Sequence, residues 1–141
     1  MTNFQQILKN NKEWARKCLE AEKDYFTKLV KVQTPKYLWI GCADSRVPAN
    51  EIMGLKPGEV FVHRNVANIA PPSDINVLAV VQYAVEYLKV EDIIVSGHYG
   101  CGGIKAAFQN NDFGPLESWL SHLRELRCKF RESLIGSQSQ K

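Results

Sequence analysis

Three short apolar runs, at residues 37–40, 60–63 and 93–95, constrain the fold of this chain more than any other feature. The first run does not alternate apolar and polar side chains, which is typical of a strand buried on both faces of a parallel sheet. Between the second and third runs, Pro71-Pro72-Ser73-Asp74 signals the start of a helix, and the apolar residues 75–88 predict that this helix is buried. Strand, crossover, strand, helix, strand predicts an α/β fold with a doubly wound, mainly parallel sheet.

Helices are predicted near both ends of the chain. Residues 1–34 predict an N-terminal helical arm, with a capping box from Thr2 to Gln5 and a break near Asp24. Residues 35–141 predict the α/β core, which ends with a helix over residues 115–130. Arg127 interrupts the apolar face of that last helix, and Cys128 is expected on the opposite side. We therefore expect one domain overall, made of an arm and a core.

Composition excludes several classes of protein. A chain of 141 residues is one domain long, and its net charge of +3 does not indicate a nucleic-acid partner. No apolar run approaches the ~18 residues that a membrane span needs, and the polar N-terminus lacks the apolar stretch of a secretory signal. Four cysteines in such a chain predict reduced thiols in the cytoplasm, where metal binding or catalysis is the expected use.

Reactive side chains are concentrated in two short segments, each of which follows a predicted strand. Cys42 and Asp44 follow the first strand, and His98 and Cys101 follow the third. In open α/β sheets, sites form beyond the carboxyl ends of strands where the winding direction reverses. With the strand order 2-1-3, that point lies between the first and third strands. Two thiolates, an imidazole and a carboxylate are ligands that zinc accepts, so the sequence predicts a zinc site there.

The spacing of the second segment agrees with this prediction. His98-x-x-Cys101 can place both side chains on one ion from a tight turn, and the glycines at positions 100, 102 and 103 are expected to let that turn adopt positive φ angles. The alternative is that His98 belongs to a capped loop and that Cys101 is a small buried hydrophobic residue. The position of Cys42 at a strand end favours the metal site.

Asp44 and Arg46 allow more than one interpretation. They could form a surface ion pair worth roughly 0–1 kcal/mol. They could instead form a switch, in which Asp44 paired with Arg46 leaves the fourth zinc position open to water, and Asp44 on the metal closes it. Only the open position yields a nucleophile, because zinc lowers the pKa of bound water to about 7. A thiolate phosphatase or sulfurtransferase, with Cys42 as nucleophile and Arg46 as anion clamp, would leave His98 and Cys101 without a role.

The segments 42–46, 63–68 and 98–103, read CADSR, HRNVAN and HYGCGG, together resemble the signature of the β-class carbonic anhydrases of bacterial type. The resemblance implies zinc ligation by Cys42, His98 and Cys101. It also implies the reversible hydration of CO2 to bicarbonate and a proton, with Asp44 and Arg46 as the catalytic dyad and Asp44 as an alternative fourth ligand.

The resemblance also assigns roles to residues outside the zinc site. It implies that Gln33 reaches a neighbouring subunit's pocket, so that the protein is a homodimer or a higher homo-oligomer. Residues that match the substrate pocket are Phe61, Val66 and Tyr83 in the apolar wall and the backbone N–H of Gly102. Trp39 and Arg64 match two residues of a regulatory bicarbonate pocket, and the alternative is that Trp39 is sheet core and Arg64 an ordinary ion-pair partner.

The chain departs from the family in its length. Family members usually continue past the last helix with another strand and more helices, so the resemblance implies a fold truncated at its C-terminus. A tyrosine that completes the regulatory pocket in that stretch has no counterpart here. An alternative function follows: a zinc-binding truncated homologue with a structural or association role and little catalysis.

Overall fold

The computed structural model describes residues 3–131, which form two compact units that divide between Thr34 and Pro35. The first unit contains helices α1 (Phe4–Ala21) and α2 (Tyr25–Lys31). The predicted cap, Thr2, lies outside the described residues, and the helix is capped by Asn3, whose side chain accepts a hydrogen bond of 2.8 Å from the Gln6 backbone N–H.

The predicted break near Asp24 is present. Helix α2 begins one residue later, and the Asp24 carboxylate pairs with Lys28 at 3.1 Å. The two helices of this unit meet through an edge-to-face contact between Trp14 and Phe26, whose ring centroids lie 5.7 Å apart.

The second unit is built on a parallel sheet of three strands in the order β2-β1-β3. The strands are β1 (Tyr37–Cys42), β2 (Val60–Asn65) and β3 (Asp92–Ser96). Cys42 pairs with Asn65 and Gly41 with Ser96, so the carboxyl ends of all three strands lie at one edge of the sheet. The predicted order, direction and fold class are therefore confirmed.

Helices and turns connect these strands and follow them. They are α3 (Ala49–Met53), a 3-10 turn (Val66–Asn68), α4 (Ile75–Gln82), a π-helical turn (Tyr83–Leu88), α5 (Gly102–Ala107) and α6 (Leu116–Lys129). Over residues 3–131, no helix combines the length and the apolar character that a membrane span requires.

The central strand carries the core. Leu38, Trp39 and Ile40 are almost fully buried, which confirms that β1 is covered on both faces. One cluster joins Leu38 and Ile40 to the α4 side, and a second joins the end of β1 to α5 and α6 through Cys42, Ala67, Ile69, Cys101, Ala107, Leu120 and Leu123. The second cluster contains two of the predicted zinc ligands, so the packing of α5 and α6 supports the site directly.

The prediction that residues 75–88 form a buried helix is wrong for the described chain. Val77 and Ala84 are buried, but Ile75 and Tyr87 are 78% and 68% exposed. The helix rests on the sheet along one side, because a single sheet face can cover only one stripe of a helix. Apolar side chains on the other side of the helix are therefore left exposed by the packing of the described residues.

The terminal helix α6 follows its predicted pattern up to Leu123, whereas Leu126 on the predicted apolar face is 47% exposed. Leu120 and Leu123 are buried in the second cluster, and Cys128 is exposed as predicted. Arg127, the exception on the apolar face, places its guanidinium over the Phe108 ring at 4.4 Å from the centroid. A guanidinium can lie on an apolar face in this way because its plane stacks on an aromatic ring.

Candidate metal centre

Three potential metal ligands converge at the carboxyl edge of the sheet. Cys42 is the last residue of β1, whereas His98 and Cys101 lie in the segment between β3 and α5. The Sγ atoms of Cys42 and Cys101 are 3.8 Å apart, and one ligand atom from each of the three side chains lies within 4.8 Å of the other two. Both thiols are buried. Because β1 and β3 are neighbours in the sheet, their ends bring these two distant segments together.

The hydrogen bonding of His98 fits a metal ligand. Its Nδ1 atom lies 3.0 Å from the Tyr99 carbonyl oxygen and therefore donates to it, which leaves the Nε2 lone pair unprotonated in the neutral ring. Nε2 is buried and has no hydrogen-bond partner within the described part of the chain. A backbone carbonyl that fixes the tautomer of a histidine in this way is a common feature of metal sites. The donor set, two thiols and an imidazole, is one that Zn²⁺ accepts.

The surroundings of Cys42 favour its thiolate. Burial raises the pKa of the Cys42 thiol, but hydrogen bonds to its sulfur from the Asp44 N–H, the Ala67 N–H and Cys101 outweigh burial and lower that pKa. The Asp44 nitrogen lies 3.4 Å from Cys42 Sγ. Because the thiolate is the form that binds metals, this environment prepares Cys42 for that role.

Asp44 stands beside the three ligands and is held by Arg46. The guanidinium donates to both carboxylate oxygens, at 2.9 and 2.6 Å, and the Arg46 backbone N–H donates to Oδ1 at 3.0 Å. These side-chain and backbone hydrogen bonds hold the pKa of Asp44 well below its usual range. Asp44 Oδ2 is 3.9 Å from His98 Nε2. The structure thus places Asp44 next to the ligand group but bonded to Arg46.

A strained turn packs behind Cys42. Ala67 and Asn68 adopt positive φ angles of 66° and 45°, which are unfavourable for residues with a Cβ. The Asn65 side chain spans the turn, accepting from the Ile69 N–H at 2.9 Å and donating to the Ile69 carbonyl at 2.7 Å. The Trp119 indole N–H donates to the Val66 carbonyl at 2.8 Å. Sequence reasoning missed the supporting roles of Asn65 and Trp119, because each depends on a partner that no spacing rule identifies.

The glycines after His98 have a different role from the one predicted. Gly100 adopts a positive φ of 67°, but Gly102 and Gly103 are the first two residues of α5 and are helical. A Cβ on Gly103 would lie 2.7 Å from Val66 Cγ1 and 3.0 Å from Ala67 Cβ, so the absence of a side chain lets α5 approach the strained turn. Positive φ is therefore needed at only one of the three positions.

Gly103→Ala is expected to lower the free energy of unfolding by about 1–3 kcal/mol, the usual cost of overpacking a core. Gly102→Ala is the matched control, since it changes the neighbouring helical residue where a Cβ would meet no atom within 4 Å. Denaturant unfolding of both variants checks this expectation. Equal stability of the two variants would contradict the close approach.

The predicted substrate-wall residues do not line the cavity at the metal ligands. That cavity, of about 240 Å³, is lined by Trp39, Cys42, Val47, Ile52, Ser96, Gly97, His98 and Tyr99. Phe61 lies instead against Tyr83, with ring centroids 5.8 Å apart, and Val66 lies in the turn behind Cys42. Gln33 is exposed and belongs to the first unit. Gly102 begins α5, directly after Cys101.

Of the predicted regulatory pair, Trp39 belongs to the ligand-bearing strand β1, and Arg64 contacts the end of that strand from β2. Trp39 is buried, and its indole lies over Gly41, where a Cβ would come within 2.1 Å of Nε1. Arg64 donates from Nε to the Cys42 carbonyl at 2.9 Å and from Nη2 to the Asp44 carbonyl at 2.5 Å. Arg64 is thus engaged with backbone oxygens on both sides of Ala43.

Comparison with known proteins agrees with this geometry. Residues 37–141 match the family model described as carbonic anhydrase. A carbonic anhydrase of Emericella nidulans is 51% identical over 120 residues, which cover 85% of this chain and 53% of that protein. The chain belongs to the carbonic anhydrase family, and it spans about half the length of that curated relative.

The solved structures specify the class. A β-carbonic anhydrase of the ascomycete Sordaria macrospora, described as tetrameric, superposes with a TM-score of 0.88 at 43% identity, over 94% of this chain and 68% of that one. A Coccomyxa β-carbonic anhydrase, solved in complex with acetazolamide, has a TM-score of 0.88 at 39% identity, over 96% of this chain and 62% of that one. The resemblance to the β class that the sequence motifs indicated is therefore confirmed.

Proposed function

We propose that this chain binds one Zn²⁺ ion through Cys42, His98 and Cys101 and catalyses the reversible hydration of CO2 to bicarbonate and a proton. The observation that carries the proposal is the buried, unpartnered Nε2 of His98 beside two thiols whose sulfur atoms are 3.8 Å apart. Family membership supports the same chemistry. Bound Zn²⁺ would supply a nucleophile at neutral pH, because it lowers the pKa of coordinated water to about 7.

The residues around the ligands have separable tasks in this proposal. Arg46 keeps Asp44 ionised and bonded to itself, so that the carboxylate does not occupy the fourth position on the metal. Two thiolates and a neutral imidazole balance the charge of Zn²⁺, and the nearby Arg46 offsets the negative charge that develops as the reaction proceeds. Trp39, Val47 and Ile52 give the adjoining cavity an apolar side, which suits an uncharged substrate.

The predicted substrate contacts that do not line this cavity are proposed to act in a site that forms when copies of the chain associate. The exposed apolar surface near the π-helical turn carries a chain of ring contacts from Phe61 to Tyr83 to Tyr87. Tyr83 and Tyr87 are 44% and 68% exposed, and burial of this surface against a second copy would remove it from water. A homo-oligomer agrees with the relative described as tetrameric. Gln33, Phe61, Val66, Tyr83 and the Gly102 N–H remain the proposed substrate contacts of such an assembly.

Light scattering tests the assembly. The active species is expected to be at least a dimer, and an active species that is strictly monomeric would contradict this part of the proposal. The cytoplasmic location, the regulatory role of Trp39 and Arg64 and the absence of a nucleic-acid partner stay predictions of the sequence.

The activity itself is tested by a stopped-flow CO2-hydration assay on the zinc-loaded chain. Removal of zinc with a chelator is expected to abolish hydration, and addition of zinc to restore it. The assay is repeated from neutral to alkaline pH, because hydroxide would compete there with any Asp44 carboxylate that binds the fourth position, so a site closed by Asp44 would gain activity as the pH rises. One bound zinc per chain without hydration at any pH would contradict catalysis and favour the structural role.

A further inference from the structure

The segment from Cys42 to Arg46 carries both a proposed metal ligand and the Asp44 carboxylate, and its residues after Cys42 lie beyond the regular pairing of β1. Two backbone hydrogen bonds hold it: the Ala43 N–H donates to the Asn65 carbonyl at 2.8 Å, and the Val47 N–H donates to the Asp44 carbonyl at 3.2 Å. The carbonyls of Cys42 and Asp44 flank Ala43. A group that hydrogen-bonds to both carbonyls therefore restrains the backbone conformation between Cys42 and Asp44.

Arg64 is that group. It lies on β2 opposite Gly41 in the strand register, one residue before the partner of Cys42. Its Nε donates to the Cys42 carbonyl at 2.9 Å, and its Nη2 donates to the Asp44 carbonyl at 2.5 Å. The two nitrogens belong to one rigid planar fork, so the distance between the two carbonyls is fixed by the guanidinium itself. A lysine ammonium would carry the same charge without this fixed spacing.

We propose that Arg64 is a positioning residue that bridges the Cys42 and Asp44 carbonyls and so holds the Cys42 ligand and the Asp44 carboxylate in place for the metal. This role rests on the proposed zinc site, but the bridge is a property of the chain that exists without the ion. It differs from the role of an anion ligand, which would need the charge of Arg64 and not its contacts with the backbone.

The test uses the full chain with Arg64→Ala and Arg64→Lys, and with Arg127→Ala as an arginine control outside this segment. In metal-free protein, backbone hydrogen exchange at residues 43–47 is measured, because the Ala43, Arg46 and Val47 amides are hydrogen-bonded there. Both Arg64 variants are expected to exchange about tenfold faster at these amides only, with unchanged exchange in α6. Millimolar guanidinium ion is expected to restore slow exchange to Arg64→Ala.

Zinc affinity is the second readout, measured by competition with a chromogenic chelator. Both Arg64 variants are expected to bind zinc about 10–100-fold more weakly, as is typical when an outer-shell partner of a ligand is lost. If the amides of residues 43–47 exchanged at the wild-type rate in either Arg64 variant, the proposed bridge would be wrong. If wild-type protein bound no zinc, the proposed function would fail, while the exchange measurement would still decide for or against the bridge.

Discussion

Cys42→Ser is expected to abolish CO2 hydration and to weaken zinc binding by more than about 100-fold, beyond the loss typical of an outer-shell partner. The hydroxyl of serine stays protonated at neutral pH, whereas the surroundings of Cys42 already lower the pKa of its thiol. The same result is expected for Cys101→Ser. Zinc content by mass spectrometry and stopped-flow hydration measure the two effects.

Cys128→Ser provides the matched control, because Cys128 is an exposed thiol on α6 outside the ligand group. This variant is expected to keep wild-type zinc content and turnover. Unchanged turnover in Cys42→Ser would refute the assignment of Cys42, whatever the control shows.

Arg46→Ala is expected to lower hydration at neutral pH about 100-fold, the order of loss that misplacement of a catalytic group causes, while one zinc per chain stays bound. In the structure, Arg46 makes three hydrogen bonds to the Asp44 carboxylate. Without the guanidinium, Asp44 is free to move toward the metal position from its place 3.9 Å from His98 Nε2. Arg46→Lys is the matched variant: it keeps the charge but cannot bind both carboxylate oxygens in parallel, so we expect intermediate activity.

The same pair predicts a pH dependence of stability. Because Arg46 depresses the pKa of Asp44 in the folded chain, the pair stabilises the fold above the ordinary pKa of an aspartate, and this contribution is lost as the pH falls through the lower folded value. The stability difference between wild type and Arg46→Ala should therefore be full near neutral pH and shrink in acid. Denaturant unfolding at a series of pH values measures it, and a difference that grew in acid would contradict the pairing.

The strands of the sheet and their common direction could be predicted from the pattern of apolar residues in the sequence. The non-alternating run at Leu38, Trp39 and Ile40 indicated a central buried strand, and burial on both faces is what the structure shows. The rule that parallel strands end at one edge of the sheet then brought Cys42 to His98 and Cys101. The chemistry of the donor set predicted zinc as the metal for this group.

Features that depend on what covers a surface could not be predicted in the same way. The apolar residues of α4 predicted burial, but apolar composition does not state whether a helix is covered by its own sheet or by another copy. Asn65 and Trp119 support the strained turn through bonds to Ile69 and Val66, and such contacts follow from packing and not from spacing. Gly102 and Gly103 looked like turn residues because a glycine-rich segment does not reveal which positions need positive φ and which need close approach.

The most direct test of the zinc site is X-ray absorption spectroscopy at the zinc edge on the zinc-loaded wild-type chain. If Cys42, His98 and Cys101 bind one ion, the first coordination shell contains two sulfur atoms at about 2.3 Å and an imidazole nitrogen at about 2.0–2.1 Å. A shell with fewer than two sulfur atoms would show that the two thiols do not share the metal, and the proposed enzyme site would be wrong.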